Sequence, residues 1–367
     1  MQEYINKLKI LKGDGNYRAL PDEAASQLLD LCSNDYLGIN ENTKLQADFW
    51  NETTSRQLLS SCSSRLLGKQ LKQHTLFETE LADAYKKESA LLFNSGYHAN
   101  TGILPALTSK KDLIIADKLV HASIIDGAML SKADFIRYRH LDNKHLEKLL
   151  EKNRKNYNQV FIVSESIFSM DGDIAHLPQL VELKNKFDCL LYIDEAHALG
   201  VRGEKGLGCA EEQNCIKDLD FIVGPMGKAF ASTGAFVVCK QVFRDYLINF
   251  ARSFIFSTAL PPINVAWSRF VFQHLTAMQA ERQKLMQLST EFQEQLGIPG
   301  QSHIIPFIIG TNANAIRKSQ ILRRNGFNVL PVRYPTVPRN TARLRFSLNA
   351  KMNIQQLSPI KKLITES

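Results

Sequence analysis

The chain has 367 residues, of which 44% are hydrophobic and 22% charged, which is typical of a folded globular protein and excludes a mainly disordered one. A formal net charge of +8 favours anionic ligands, and no basic run interleaved with aromatic residues indicates a nucleic-acid surface. The polar N-terminus, MQEYINKLKI, predicts no signal peptide, and no stretch is long enough to predict a membrane span. The six cysteines form no C-x-x-C pair and the histidines no metal-binding pattern, so we expect reduced thiols, no metal and a cytoplasmic protein.

The first thirty residues predict a helix and an extended arm. From about Ala90 onward, short apolar runs alternate with segments of helical periodicity, such as Leu141 to Lys155. The runs that we predict as strands are Ala90–Phe93, Gln159–Val163, Cys189–Ile193, Phe221–Val223 and Ala235–Val238. Continuous apolar runs are typical of strands buried on both faces, so the pattern predicts an α/β fold with a large, mostly parallel sheet.

The last hundred residues have a different pattern. A long polar helical stretch from about Leu275 to Leu296 precedes an apolar run, a further helix near Ala313 to Arg324 and strands near Val329 and Leu344. We therefore predict three regions: an N-terminal helix and arm over 1–30, a large domain over 31–270 and a small C-terminal α+β domain over 271–367.

Chemically distinctive residues follow the predicted strands. Asp194-Glu-Ala-His197 comes directly after one strand and Gly227-Lys228 after the next. A carboxylate at a strand end can keep a heteroaromatic nitrogen protonated, and a desolvated lysine can form a Schiff base. Gly96 opens a helix after a strand, where backbone N–H groups suit a phosphate. Ala229 follows the lysine, which counts against a Walker-type nucleotide site.

The order of these motifs resembles that of the α-oxoamine synthases. The segments that carry the resemblance are Asn34–Gly38, Phe93–Tyr97, His121–Ser123, Glu165–Asp173, Asp194–His197 and Gly227–Ala229. Members of this family are fold-type I pyridoxal-phosphate enzymes, which condense an amino acid with an acyl thioester and release CO2. The resemblance covers nearly the whole chain. It implies a fold-type I pyridoxal-phosphate-dependent transferase whose large domain binds the cofactor.

Two C-terminal segments indicate the substrates. Ile255–Pro262 and Pro335–Arg345 are similar to members that join L-alanine to a pimeloyl thioester, carried by coenzyme A or a carrier protein, in biotin synthesis. The alternatives are members that use glycine or serine, such as 2-amino-3-ketobutyrate ligases and serine palmitoyltransferases. A non-catalytic paralogue is a third reading, against which the joint presence of the lysine, aspartate and histidine motifs argues.

The resemblance implies roles at the cofactor ring. Lys228 would form the internal aldimine and then remove the α-proton of the amino acid, and Asp194 would pair with the pyridinium nitrogen. His121 would stack on one face of the ring, and Ala196 would pack against the other. The phenolic oxygen of the ring would accept hydrogen bonds from His197 and Ser169.

The resemblance also implies how the phosphate and the substrates bind. The backbone at Gly96 and Tyr97 would hold the phosphate, and Ser257 and Thr258 would reach the phosphate of a neighbouring subunit, which implies a homodimer with shared active sites. The amino-acid carboxylate and the acyl substrate would be bound by Asn34, Arg345, Thr336 and Arg18.

The chain departs from the family pattern at two places. Ser60–Arg65 stands where the family commonly has a glycine-rich G-S-G-G-S-R stretch, so side chains replace glycines there. Pro225 stands three residues before the lysine, where the family usually has a threonine or serine whose hydroxyl contacts the phosphate. Proline offers neither a hydroxyl nor an N–H. We therefore expect weakened, but not abolished, cofactor binding.

Overall fold

The computed structural model describes residues 1–20, 27–53, 58–68 and 71–366. The chain divides into two compact units. The terminal unit consists of Met1–Tyr36, Ser169–Asp173 and Gln283–Ser367, and the central unit consists of Leu37–Phe168 and Ile174–Arg282. This division does not test whether the regions 1–30, 31–270 and 271–367 are separate domains, and those boundaries stay a prediction.

Strands and helices are numbered in chain order within the described ranges. The strands are β1 Leu29–Asp30, β2 Ser89–Phe93, β3 Leu113–Asp117, β4 Asp134–Tyr138, β5 Val160–Glu165, β6 Leu190–Asp194, β7 Phe221–Pro225, β8 Ala235–Cys239, β9 Ile304–Gly310, β10 Phe327–Asn328, β11 Pro331–Val332 and β12 Ala342–Ser347. The α-helices are α1 Gln2–Gly13, α2 Thr43–Glu52, α3 Lys72–Ala84, α4 Gly96–Leu107, α5 Ala122–Leu130, α6 Asn143–Asn153, α7 Leu177–Phe187, α8 Cys209–Glu212, α9 Gln241–Phe250, α10 Arg252–Ile255, α11 Pro262–Leu275, α12 Gln279–Leu296, α13 Asn312–Arg324, α14 Ile354–Leu357 and α15 Pro359–Thr365.

A seven-stranded sheet with the order β2-β8-β7-β6-β5-β3-β4 forms the core of the central unit. The five strands from β7 to β4 run parallel to their neighbours, and β8 is antiparallel to both β2 and β7. Every residue of β2, β3, β5 and β8 is buried, which explains their continuously apolar character. The predicted α/β fold with a large, mostly parallel sheet is confirmed.

Three details differ from the elements read in the sequence. Strands β3 and β4 were not predicted, and β4 is a half-exposed strand at the sheet edge that carries Asp134 and Arg137. The predicted helix from Leu275 to Leu296 is instead part of a longer helical region that starts at Pro262. There α11 ends at Leu275, a 3-10 turn follows and α12 begins at Gln279. Proline in the first turn fits this earlier start, because that position needs no N–H donor.

The terminal unit contains the smaller α+β arrangement. Strands β11, β12 and β9 form an antiparallel sheet in that order, and β1 pairs in parallel with β10. The ring of Phe292 on α12 packs edge-on against Phe346 of β12, with 5.4 Å between the ring centroids. Among the described residues, no helix combines the length and the apolar character that crossing a membrane requires.

Gly172 fixes the Ser169–Asp173 segment within the terminal unit. Its φ is +72°, and a Cβ at this position would meet the backbone oxygen of Ile304 and lie 2.6 Å from the hydroxyl oxygen of Ser302. Gly297 has the same φ of +72°, but a Cβ there would meet no atom within 4 Å. An alanine at either position would therefore have the same backbone strain, but only an alanine at position 172 would also clash with its neighbours.

We expect Gly172→Ala to lower the free energy of unfolding by about 2–3 kcal/mol, because the new methyl group adds a steric conflict to the strain of a positive φ. The control Gly297→Ala introduces the strain alone and should cost about 1 kcal/mol. Denaturant unfolding of both variants and of the wild type measures the difference. Equal losses would show that the Ser169–Asp173 segment moves away from Ile304 without cost.

Candidate active site

Asp194 ends strand β6, and only 3% of its surface is exposed. The side-chain amide of Asn100 donates to one carboxylate oxygen at 2.9 Å, and the backbone N–H of Ala196 donates to the other at 3.0 Å. Asn100 is itself fixed, because its amide oxygen accepts from the hydroxyl of Tyr192 and its amide nitrogen also donates to Ser123. Two N–H donors favour the charged form of a buried carboxyl, so this site suits a carboxylate that faces a cationic nitrogen.

Lys228 lies in the turn that joins β7 to β8 and is half-buried. The turn extends over residues 226–234 and is held by backbone hydrogen bonds: the N–H of Met226 donates to the carbonyl of Gly234 at 2.9 Å, and the N–H of Ala231 donates to the carbonyl of Lys228 at 2.8 Å. Strands β6 and β7 are neighbours in the sheet, so Asp194 and this turn belong to the same edge. The predicted lysine and aspartate therefore share one end of the sheet.

His121 immediately precedes helix α5 and caps it, since its Nδ1 accepts from the backbone N–H of Ser123 at 3.2 Å. Its own backbone N–H donates to the carboxyl of Glu165. Burial lowers the pKa of His121, the charge of Asp194 opposes this effect and the charge of Lys228 adds to it. A neutral imidazole beside a lysine avoids a second positive charge, which suits a stacking role.

Glu195 holds the segment that follows Asp194. Its carboxyl accepts from the backbone N–H groups of Ala210 at 2.7 Å and Cys209 at 3.1 Å, and burial raises its pKa to about 7. The carbonyl of Glu195 accepts from the backbone N–H groups of Ala198 and Leu199, both at 2.9 Å, so the chain turns directly after Glu195. Ala196 and His197, which lie in this turn, are both buried.

The first residues of helix α4 form the candidate phosphate site. Ser95 is the N-cap, and its hydroxyl accepts from the N–H of His98 at 3.1 Å. The N–H groups of Gly96 and Tyr97 precede the first intrahelical hydrogen bond, so they are available to an anion. A Cβ on Gly96 would lie 2.7 Å from the Cγ of Pro225, so the end of β7 packs directly on the helix start.

Ser257 and Thr258 follow helix α10 within the central unit. The amide of Asn94 donates to the carbonyl of Thr258 at 2.6 Å, which ties this segment to the turn before α4. The backbone N–H of Ala259 donates to the carbonyl of Ser63 at 2.9 Å. The serine-rich loop, the 257–258 segment and the start of α4 are therefore linked in the same chain.

A buried ion pair anchors the serine-rich loop. Arg65 donates to both carboxylate oxygens of Glu78 at 2.8 and 3.2 Å, and Arg244 donates to the same carboxylate at 3.3 Å. Next to it, burial and the charge of Arg65 lower the pKa of His74 to about 4. The serine-rich loop, Ser60–Arg65, is therefore held at its last residue by this ion pair.

In the terminal unit, Arg345 and Asn34 lie together as expected. The guanidinium group of Arg345 donates to the side-chain oxygen of Asn34 at 3.1 Å and to the carbonyl of Ser169 at 2.6 Å. The hydroxyl of Tyr36 donates to the same oxygen of Asn34 at 2.9 Å. Burial raises the pKa of Tyr36 to about 12, so its phenol stays neutral.

Arg18 and Thr336 line a second site in the terminal unit. A guanidinium nitrogen of Arg18 lies 3.4 Å from the hydroxyl oxygen of Thr336. Arg333 lies close by, and burial and then the charge of Arg18 lower its pKa. These three residues border a cavity of about 600 Å³ whose lining also includes Leu8, Leu11, Tyr17, Met170, Pro331 and Val332. A cavity with two guanidinium groups and an apolar lining suits an apolar chain that ends in an anion.

The ligand-binding roles of the residues named from the sequence stay predictions. The structure brings together Asp194, Lys228 and His121 in the central unit and Asn34 with Arg345 in the terminal unit. Four residues for which no role was predicted from the sequence make contacts in these sites: Asn100, Glu165, Tyr36 and Arg333. Tyr36 and Glu165 lie inside the quoted motifs and Asn100 lies three residues after one of them, and this proximity was the available signal.

The comparisons with known proteins agree with this arrangement. Residues 26–361 match the aminotransferase class I and II family. The 8-amino-7-oxononanoate synthase of Haemophilus ducreyi is 47% identical over 98% of each chain. Among solved structures, a serine palmitoyltransferase of Sphingomonas wittichii is 30% identical with a TM-score of 0.85, over 92% of this chain and 86% of that one.

The 8-amino-7-oxononanoate synthase of Francisella tularensis is likewise 30% identical, with a TM-score of 0.76, over 93% of this chain and 98% of that one. These matches extend over nearly the full length, and they confirm the resemblance to the α-oxoamine synthases and the fold-type I transferase fold. The chain belongs to the aminotransferase class I and II family of pyridoxal-phosphate enzymes.

Proposed function

We propose that this enzyme condenses L-alanine with a pimeloyl thioester, releases CO2 and forms 8-amino-7-oxononanoate for biotin synthesis. The observation that carries the choice of acyl substrate is the cavity of about 600 Å³ bordered by Arg18 and Arg333. Full-length similarity to the 8-amino-7-oxononanoate synthase of Haemophilus ducreyi supports the choice of reaction.

The chemistry of this cavity favours a dicarboxylic acyl chain. Leu8, Leu11 and Val332 offer apolar surface to methylene groups, and the two guanidinium groups offer charge-assisted donors to a distal carboxylate. Arg333 also donates to the backbone carbonyls of Gly15 and Tyr17. Arg18, whose one side-chain hydrogen bond within the described part of the chain is with Thr336 at 3.4 Å, is therefore the cation that a fatty acyl chain would cover without an anionic partner. This argues against the serine palmitoyltransferase alternative, although solved structures with that name share the fold.

The amino-acid substrate would bind through its carboxylate to Arg345 and Asn34. Arg345 presents a planar fork that suits a bidentate carboxylate contact, and Asn34 holds it in place at 3.1 Å. Arg345 and Asn34 could bind the carboxylate of any α-amino acid, so the choice of L-alanine over glycine and serine rests on the similarity to the Haemophilus ducreyi protein.

Pyridoxal phosphate is the cofactor, and the residues present fit it. Asp194 has the buried carboxylate that the ring nitrogen needs, and the start of helix α4 offers N–H groups to the phosphate. When bound, the ring supplies an electron sink for the α-carbon of the amino acid. Lys228 would attach the cofactor and move the α-proton, and His121 and Ala196 would cover the ring, with His197 and Ser169 at its phenolic oxygen.

We further propose a homodimer that works in the cytoplasm. An apolar stripe on α9 supports the dimer, because Val242, Tyr246 and Phe250 repeat every four residues and are 65%, 44% and 55% exposed. In such a dimer Ser257 and Thr258 would reach the partner's phosphate. The six cysteines are free, which fits a reducing compartment.

Lys228→Ala should lose covalent attachment of the cofactor, because the lysine amine is the group that joins the aldehyde. The wild type should give a protein–cofactor adduct after borohydride reduction, and peptide mapping should place it on Lys228. An adduct on a different lysine would remove the central assignment.

Arg18→Ala should lower kcat/KM for the pimeloyl thioester tenfold to hundredfold, since a charge-assisted hydrogen bond contributes about 1.5–3 kcal/mol. The heptanoyl thioester has the same chain length without the distal carboxylate, and its kcat/KM should not change. Steady-state assays of CO2 release with both thioesters measure the two effects.

Arg339→Ala is the matched control, because Arg339 is an exposed arginine stacked on Tyr334, with 5.0 Å between the guanidinium and the ring centroid. It should leave both substrates unaffected. If Arg18→Ala lowers kcat/KM equally for the pimeloyl and heptanoyl thioesters, Arg18 does not bind the distal carboxylate.

Pro225→Thr should tighten pyridoxal phosphate by about tenfold to a hundredfold, because the side chain of residue 225 touches the start of α4 and a hydroxyl there would add a charge-assisted donor. Affinity for pyridoxal, which lacks the phosphate, should stay the same. Spectroscopic titration with both compounds separates the effects. No gain for pyridoxal phosphate in a folded variant would mean that the phosphate is already fully bonded.

A further inference from the structure

Three buried carboxyl groups stand side by side at the carboxyl ends of neighbouring strands in the central unit. Asp117 ends β3, Glu165 ends β5 and Asp194 ends β6, and their exposed fractions are 0%, 2% and 3%. Glu165 and Asp194 are paired residues in the sheet register, and β5 lies between β3 and β6. Adjacent strands are about 4.8 Å apart, so charges on Glu165 and Asp194 would repel each other strongly. Asp117 follows the pair Ala116–Val163 and therefore lies one residue out of register with Glu165, so its charge acts on Glu165 more weakly.

The hydrogen bonds around the three carboxyls are unequal. Asp117 accepts from two backbone N–H groups and from the ring of His140. Asp194 accepts from the amide of Asn100 and from one backbone N–H. The carboxyl of Glu165 accepts one hydrogen bond from the described part of the chain. Since donors favour the charged form, the proton is held most easily on Glu165.

The electrostatic surroundings act in the same direction. Burial raises the pKa of Glu165 well above its usual range, and the charges of Asp194 and Asp117 raise it further. The charge of Lys228 and the N–H of His121 lower it, but they do not reverse the effect. Burial, the single hydrogen bond and the neighbouring carboxyl groups thus all favour the protonated form of Glu165.

We infer that Glu165 is a positioning residue that works as a neutral acid: it fixes the backbone N–H of His121 and leaves Asp194 to carry the negative charge next to the cofactor ring. This inference rests on the proposed function, since it assigns His121 and Asp194 to the ring. Two ionised carboxyls there would double the negative charge next to Lys228 and raise the proton affinity of its nitrogen.

The first test compares Glu165→Gln with the wild type in the enzyme loaded with cofactor. Gln keeps the shape, the neutrality and the oxygen that accepts from His121, so the pH midpoint of the visible cofactor band should equal that of the wild type. If Glu165 is ionised, its removal takes a negative charge from beside Lys228. The midpoint would then fall by about one unit or more, and the inference would be overturned.

The second comparison tests the positioning role. Glu165→Ala removes the acceptor for the N–H of His121, so the visible circular dichroism of the bound cofactor should weaken and kcat should fall. Glu165→Gln should keep both signals near those of the wild type. An Ala variant with unchanged circular dichroism and kcat would contradict the role.

A measurement without cofactor separates this inference from the proposed function. Above its ordinary pKa of about 4.3, Glu165 releases its proton in the unfolded chain but keeps it in the folded one. Rising pH therefore destabilises the wild type relative to Glu165→Gln, and the gap between their denaturation midpoints should widen from pH 5 to pH 7.5. A gap that is constant with pH overturns the inference. A wild type that lacks a cofactor band or turnover contradicts the proposed function instead.

Discussion

Desolvation of carboxyl groups is the constraint on which the central unit depends. A buried carboxylate is tolerated only where N–H donors replace its water shell, and the strand ends supply such donors from several elements. Asp194 takes one from a helix and one from its own turn, and Glu195 takes two from the start of α8. Because each donor must arrive at hydrogen-bond distance, the acidic residues fix the loops and helices around the sheet edge as firmly as apolar packing fixes the sheet.

Helix α4 carries residues of two parts of the candidate site, the candidate phosphate site and the contact with Asp194. Gly96 stands at its first position and Asn100 one turn later, about 6 Å along the helix axis. The first would offer N–H groups to a phosphate, and the second donates a hydrogen bond to the carboxylate of Asp194. Glycines let the neighbours approach this helix closely, since a Cβ on Gly127 would meet the backbone of Asn100 and one on Gly96 would meet Pro225. The spacing between the two functions is thus built into one rigid element.

The sequence predicted those features that depend on local pattern. Buried strands leave continuous apolar runs, so the sheet could be predicted from the sequence. Asp194 directly follows one run and Lys228 comes five residues after another, so these two residues could be predicted as well. Strand β4 could not be predicted, because it is a half-exposed edge strand that carries charged residues and has no continuous apolar run. The contact between Asn100 and Asp194 spans 94 positions, and no local signal encodes it. Glu165 was visible as a residue, but its state depends on neighbours from other strands.

The terminal unit has the opposite electrostatic problem, since the ligands proposed for it are anions and the side chains that would bind them are cations. Arg345 donates to the carbonyl of Ser169 and to Asn34 within the protein. The carboxylate that this arginine would hold is the group that leaves as CO2, so the arginine must face the site before and after its ligand is lost. A buried guanidinium with no acceptor would oppose that loss, because an unpaired buried charge is costly. The contacts with Ser169 and Asn34 would keep hydrogen-bond acceptors on Arg345 in both states, so loss of the carboxylate as CO2 would not leave the guanidinium without a partner.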